Sequence, residues 1–234
     1  MKKKVSIGLI LGMIFLQTNT FSQTNEFSPE KGKNDTETAK TYLSPLLNMV
    51  NTDLNYGKSN NTLTDSKKSE QGLQIGATFQ AGITPNFSLV SELYFITKGG
   101  KLKENISAGI PKSSLRLYTI ESPLLARFNI GRFYLNAGPS IAYNVSGTYK
   151  TEGISKNLSF NNSTEDFKRW DAGIQAGAGY RFKIKQKPVA LDIRYAYGLT
   201  NISNTNEMYN RYLNIGLYFT TQWKKNPLGK KRSS

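Results

Sequence analysis

Hydrophobic and polar residues alternate with a period of two through most of the chain. In residues 71–84, QGLQIGATFQAGIT, one face carries Leu73, Ile75, Ala77, Phe79, Ala81 and Ile83, and the other Gly72, Gln74, Gly76, Thr78, Gln80 and Gly82. A period of two is the mark of a β-strand with two unlike faces. The same pattern predicts strands over 87–98, 115–128, 133–145, 170–182, 189–199 and 211–223. A weaker one is expected over 45–53, where Pro45 and the Leu46-Leu47 pair blur the alternation. No helical period, heptad or long internal repeat interrupts the series.

The connections alternate as well. TPN, NIG and KIKQKP are short, whereas LNYGKSNNTLTDSKKSE, GGKLKENISAGIPKSS, SGTYKTEGISKNLSFNNSTEDFKR and TNISNTNEMYN are long. Strict short–long alternation is the habit of a transmembrane, antiparallel up-and-down β-barrel, with short periplasmic turns and long extracellular loops. An all-β barrel of about eight strands over residues 42–223 is therefore expected.

Three features bear on which face turns inward. The non-apolar face is rich in glycine (Gly72, Gly76, Gly138, Gly173, Gly177, Gly179 and Gly216 among others). Glycine weakens a water-facing strand but suits a crowded interior with room only for side chains. That face also holds Glu92, Glu121, Arg127, Arg181, Asp192 and Arg194. By themselves these charges fit a solvated face as well as a paired lumen network, since unpaired buried charge is costly. Aromatics of the apolar face gather at strand ends. Phe87, Phe128, Phe133, Tyr180, Phe182 and Phe219 fall at the short-turn end, and Phe95, Tyr118, Tyr143, Trp170 and Tyr197 at the long-loop end. Two such belts around a band of Leu, Ile, Val and Ala match the interfacial girdles of a membrane barrel.

Composition adds an export route and removes most catalytic chemistry. Residues 2–4 are lysines and an apolar run follows to Leu16 before the polar QTNTFSQ, the layout of a secretory signal peptide. With Thr20 and Ser22 at the small-residue positions, cleavage is expected before Gln23. The net charge of +15 then falls to +12 by loss of three lysines. Residues 23–41 read as a flexible periplasmic leader and residues 224–234 as a basic periplasmic tail. An even strand count puts both termini in the periplasm. The 234-residue chain has no cysteine and no histidine, which excludes disulfides, a lipid-modified cysteine, Ser-His-Asp triads and His-metal sites.

The stretches SLVSELYFITKGG (88–100), LYTIESPLLARF (117–128), FYLNAGPSIAY (133–143), DAGIQAGAGYRF (171–182) and LDIRYAYGLTNI (191–202) carry a resemblance. In this order they resemble the outer-membrane β-barrel domain family of Gram-negative, Bacteroidetes-type bacteria, often labelled PorT-like and akin to small OmpX-like barrels. The resemblance implies a barrel of about eight strands in the outer membrane. It implies no single activity, although the family's namesake is associated with the type IX secretion and gliding apparatus. Family members commonly end near the last aromatic, which the barrel assembly machinery reads. This chain continues past Phe219 and Trp223 with KKNPLGKKRSS.

The expected function is thus an integral outer-membrane barrel without catalysis, acting structurally or through its loops. No cofactor or metal is expected, and the exported chain shows no nucleic-acid motif. Glu92 and Glu121 are the residual acid/base candidates, but a structural ion-pair network with Arg194 and Arg127 is the simpler role for them. Lys101, Lys103, Lys112 and Arg116 in the second long loop, opposed by Glu104, are candidate contacts for lipopolysaccharide phosphates or a merely solvated segment. The tail is a candidate dock for a periplasmic partner. The competing readings are a type IX secretion accessory, a diffusion pore and a soluble lipocalin-like binder.

Overall fold

In the computed structural model, residues 41–57, 63, 65–160, 167–184, 187–219 and 221–222 are described. The expected signal peptide, the leader up to residue 40, Trp223 and the tail lie outside the described residues. Alternation becomes pairing: eight long strands run antiparallel to their sequence neighbours. They are β1 (Tyr42–Tyr56), β2 (Glu70–Gly82), β3 (Phe87–Leu102), β4 (Ser113–Ile130), β5 (Phe133–Thr151), β6 (Trp170–Ile184), β7 (Lys187–Gly198) and β8 (Met208–Phe219). β8 pairs with β1 from Gly216↔Asn48 to Met208↔Tyr56, so the sheet closes into an up-and-down barrel. Short segments at Lys67–Lys68 and Ile154–Asn157 widen the sheet on the long-loop side, and Thr221–Gln222 prolongs the pairing of β8 with β1.

Register fixes the barrel's dimensions. From Tyr42 the paired residues run through Gln80, Val90 and Leu125, across to Gly138, and on through Gln175, Ala196 and Tyr212 to Thr52. One circuit therefore returns to β1 ten residues further along (52 − 42). For eight strands, about 3.3 Å of rise per residue and about 4.8 Å between strands, that offset tilts the strands about 40°. The backbone-to-backbone diameter is then about 17 Å, which side chains can fill.

Most strands are longer than the alternation predicts, chiefly at the long-loop end: β3 reaches Leu102, β4 begins at Ser113 and β5 reaches Thr151. Backbone pairing is as satisfied there as in the middle, and inward Leu115 and Leu117 have a core to enter. The short turns link β2 to β3, β4 to β5 and β6 to β7; the described start of β1 and Thr221–Gln222 lie at the same end.

Candidate functional site

The outward face is apolar between two aromatic rings. Cross-strand partners Phe87 and Phe128 have ring centroids 5.0 Å apart, and Phe133 and Tyr180 are 4.7 Å apart. With Phe182 and Phe219 they form the ring at the short-turn end. At the long-loop end Phe95 stacks on Tyr118 at 6.2 Å and Tyr143 meets the Trp170 edge at 5.0 Å, with Tyr197 further round. Phe128 to Tyr118 and Phe133 to Tyr143 are each ten residues apart. That is about 33 Å of strand and, at the tilt above, about 25 Å along the axis, the height of a membrane barrel's apolar band. Leu47, Ile75, Leu124, Ile141, Ile174 and Ile215 stand exposed within it. Among the described residues no outward position between the rings is charged. The nearest outward charges, Arg211 and Asp53, pair at 2.8 and 3.0 Å at the height of the long-loop ring.

The inward face is a filled, ordered polar lumen. Arg194 donates to both oxygens of Glu92, at 2.8 and 3.0 Å, and from Nε to Asp192 at 3.1 Å. All three are buried. Asp192 also accepts from Tyr134 at 2.8 Å and from Asn136 at 3.1 Å, while the Arg127 Nη2 lies 3.8 Å away. Nearer the long loops, Lys98 binds Glu121 at 2.9 Å and Asp171 at 3.3 Å. Gln175 joins the two clusters: its oxygen accepts from Arg194 and its amide nitrogen lies 2.8 Å from Glu121. Tyr212 donates to Glu121 at 2.8 Å and Asn210 to Asp171 at 2.8 Å. Two glycines make room for the largest of these groups. A Cβ on Gly177 would overlap the Ile193 carbonyl oxygen of the neighbouring strand and lie 2.8 Å from the Arg194 Cγ, and one on Gly179 would overlap the Tyr134 ring.

Glu92, Arg127, Asp192 and Arg194 thus come together as one group. Arg181 joins it over the Tyr134 ring, 4.9 Å from the centroid. Glu121 pairs with Lys98 rather than with Arg127, which turns to Gln80 at 2.9 Å. The register explains the difference: Glu121 faces Tyr94, four residues from Lys98 on β3, whereas Arg127 faces Ser88 near the opposite end. Sequence reasoning missed Lys98 and Asp171 as network members, although both fall on the polar parity of their strands. From one ring to the other the lumen holds four described carboxylates (Glu92, Glu121, Asp171, Asp192) and four cations (Lys98, Arg127, Arg181, Arg194).

Above the polar layers the long-loop mouth is closed by apolar side chains. Leu54, Tyr56, Leu115, Leu117 and Met208 from the strands pack with Phe160 and Ile202 from the connections. A cavity of about 10 Å³ beneath, beside Lys98, Glu121 and Asp171, has room for about one water. Among the described residues no group of acidic side chains is gathered to hold a metal ion.

The basic cluster differs from its expected setting. Lys101 and Arg116 stand on paired strands, β3 and β4, not in a loop, and both contact Glu70, Lys101 at 3.1 Å. The hydrogen bond to Glu70 raises the Arg116 pKa further. Lys103 and Lys112 are exposed at either end of the intervening connection, and Lys67 and Lys68 pair alongside β3.

The Yersinia pestis attachment invasion locus protein Ail, solved alone and with the heparin analogue sucrose octasulfate, is 10% identical with a TM-score of 0.41, over 79% of this chain and 99% of that one. Neisserial surface protein A (NspA) is 13% identical with a TM-score of 0.47, over 76% and 96%. OprG from Pseudomonas aeruginosa is 11% identical with a TM-score of 0.40, over 79% and 97%. No curated protein matches the sequence. The family model described as "Outer membrane protein beta-barrel domain" matches residues 3–204, most of the chain, and the chain therefore belongs to the outer membrane protein beta-barrel domain family.

Proposed function

We propose that this outer-membrane barrel has no catalytic role and works through its long-loop face, with the short turns and both termini in the periplasm after cleavage before Gln23. The observation that carries the reading is the solid lumen: paired charges fill it, and the apolar cluster of Leu54, Leu117, Phe160 and Ile202 closes its long-loop mouth. A barrel filled in this way serves as an anchor and a platform rather than a conduit. On the platform, Lys67, Lys68, Lys101, Lys103, Lys112 and Arg116 present cations on one flank, against Glu70 and Glu104. Phosphate groups of lipopolysaccharide are the partner this chemistry fits, because guanidinium and ammonium donors take phosphate oxygens in charge-assisted bonds.

The first test is gel mobility of the outer-membrane fraction, unheated and boiled. Faster migration of the unheated band is expected of a compact membrane barrel; a soluble periplasmic product without a shift would overturn the reading. In the same preparation, glutamine at Lys101, Lys103, Lys112 and Arg116 together should lower co-purified lipopolysaccharide severalfold while leaving the shift intact. The type IX accessory reading predicts instead that deleting the protein blocks export of cargo proteins.

A further inference from the structure

Charge pairing inside the barrel leaves cations over at the short-turn mouth. Glu92 and Asp192 face three guanidiniums. Arg194 takes Glu92 through two bonds and Asp192 through a third. Arg127 reaches Asp192 only at 3.8 Å. Arg181 has no carboxylate partner among the described residues; its Nη2 donates to Asn129 at 2.6 Å. At the other end Lys98 stands between Glu121 and Asp171, so the surplus is negative there and positive here.

Arg127 and Arg181 converge. Their guanidinium carbons lie 4.1 and 4.9 Å from the centroid of the same Tyr134 ring. Both line a cavity of about 20 Å³ together with Tyr42, Gln80 and Tyr218. Arg127 is nine-tenths buried, and its Nε has no hydrogen-bond partner among the described residues. The strand ends and short turns around this mouth carry Arg132, Lys183 and Lys187 and, among the described residues, no Asp or Glu. Two like charges held together, one 3.8 Å from a carboxylate already paired with Arg194 and the other with no carboxylate among the described residues, beside an unused N–H and an adjoining space, are the makings of an anion site.

We propose that the short-turn mouth is an oxyanion site, in which Arg127 and Arg181 hold a phosphate group against Tyr134. The cavity has room for about two water-sized groups, so one or two oxygens of the anion enter it while the rest stays at the mouth, and the group belongs either to a small free anion or to the headgroup of a neighbouring lipid. The proposal rests on the barrel reading above only for the compartment, the periplasm, that supplies the anion.

The test uses the refolded full chain in phosphate-free maltoside micelles at constant ionic strength, with inorganic phosphate as the probe followed by ³¹P NMR. Saturable line broadening is expected. Arg181→Gln should weaken it about tenfold, the loss of a charge-assisted contact, and Lys156→Gln, exposed at the far end, should leave it unchanged. Should Arg181→Gln not refold, Arg181→Lys keeps the charge and loses the planar fork, and a weaker affinity is again expected. Loss of phosphate binding in phosphatidylglycerol nanodiscs would assign the site to lipid headgroups, and retained binding to the free anion. Broadening that never saturates, or that is equal in wild type and both Arg181 variants, overturns the proposal. Heat-modifiable mobility of the same samples separates the two failures: its loss sinks the barrel reading, and its persistence without phosphate binding sinks the anion site alone.

Discussion

At the scale of single residues, Arg194 is the group on which the lumen most depends. Its five-donor fork satisfies Glu92 twice, Asp192 once and the Tyr218 hydroxyl once, all at buried positions. Buried ion pairs add little against an apolar alternative, yet removing one partner leaves an uncompensated charge. Arg194→Met is therefore expected to destabilise the barrel by about 3–5 kcal/mol, read as a lower urea midpoint for the loss of heat-modifiable mobility. The double variant Arg194→Met/Glu92→Met should lose less than Arg194→Met alone, because the stranded carboxylate goes too. A double variant as unstable as the sum of its singles would mean that the pair acts as two independent packing groups. Much of this site can be read from strand parity: Glu92, Asp192 and Arg194 all fall opposite the apolar face. Which acid meets which base is set by register across non-neighbouring strands, and for that reason Lys98 and Asp171 escaped a reading made strand by strand.

At the scale of the strand, two faces with opposite solvents explain both what the sequence reveals and what it hides. On β8, outward Leu213, Ile215 and Leu217 alternate with inward Asn214, Gly216 and Tyr218, and the pattern is unmistakable. On β1 it blurs because the lumen itself accepts apolar groups: inward Leu46 and Val50 pack with Tyr94 and Tyr212, while outward Leu47 and Met49 stand exposed. An outward charge carries a depth-dependent cost in a lipid-facing band. Ile215 lies midway between the rings, so Ile215→Arg should cost about 2–4 kcal/mol and sharply reduce the heat-modifiable fraction. Leu199→Arg, exposed just past β7 on the long-loop side, should cost little. Equal tolerance of both would mean that no lipid bounds the face, and the outer apolar band would need another cover.

At the scale of the whole barrel, the register circuit sets a diameter that side chains fill, and two independent layers then obstruct the axis. One is polar, from Arg127 through Arg194 and Gln175 to Lys98, and every charge in it but that of Arg181 has an opposite charge within 4 Å. The other is the apolar cluster at the long-loop mouth, built by Phe160 and Ile202 folding over Leu54 and Leu117. That second layer was not legible beforehand, because isolated apolar residues in long polar connections look like loop composition until the mouth beneath them is seen. Ion permeation would need both layers to open, and desolvating ions past a paired, buried charge network is costly. Planar-bilayer recordings of the purified protein should therefore show no stepwise conductance. The triple variant Leu54→Ala/Leu117→Ala/Ile202→Ala, which thins the apolar layer, should stay equally silent, because the Lys98 and Arg194 layers remain beneath it. Steps in the triple variant alone would make the apolar cap the gate and the polar layer permeable. Steps in the wild type would restore the diffusion pore and displace the platform reading altogether.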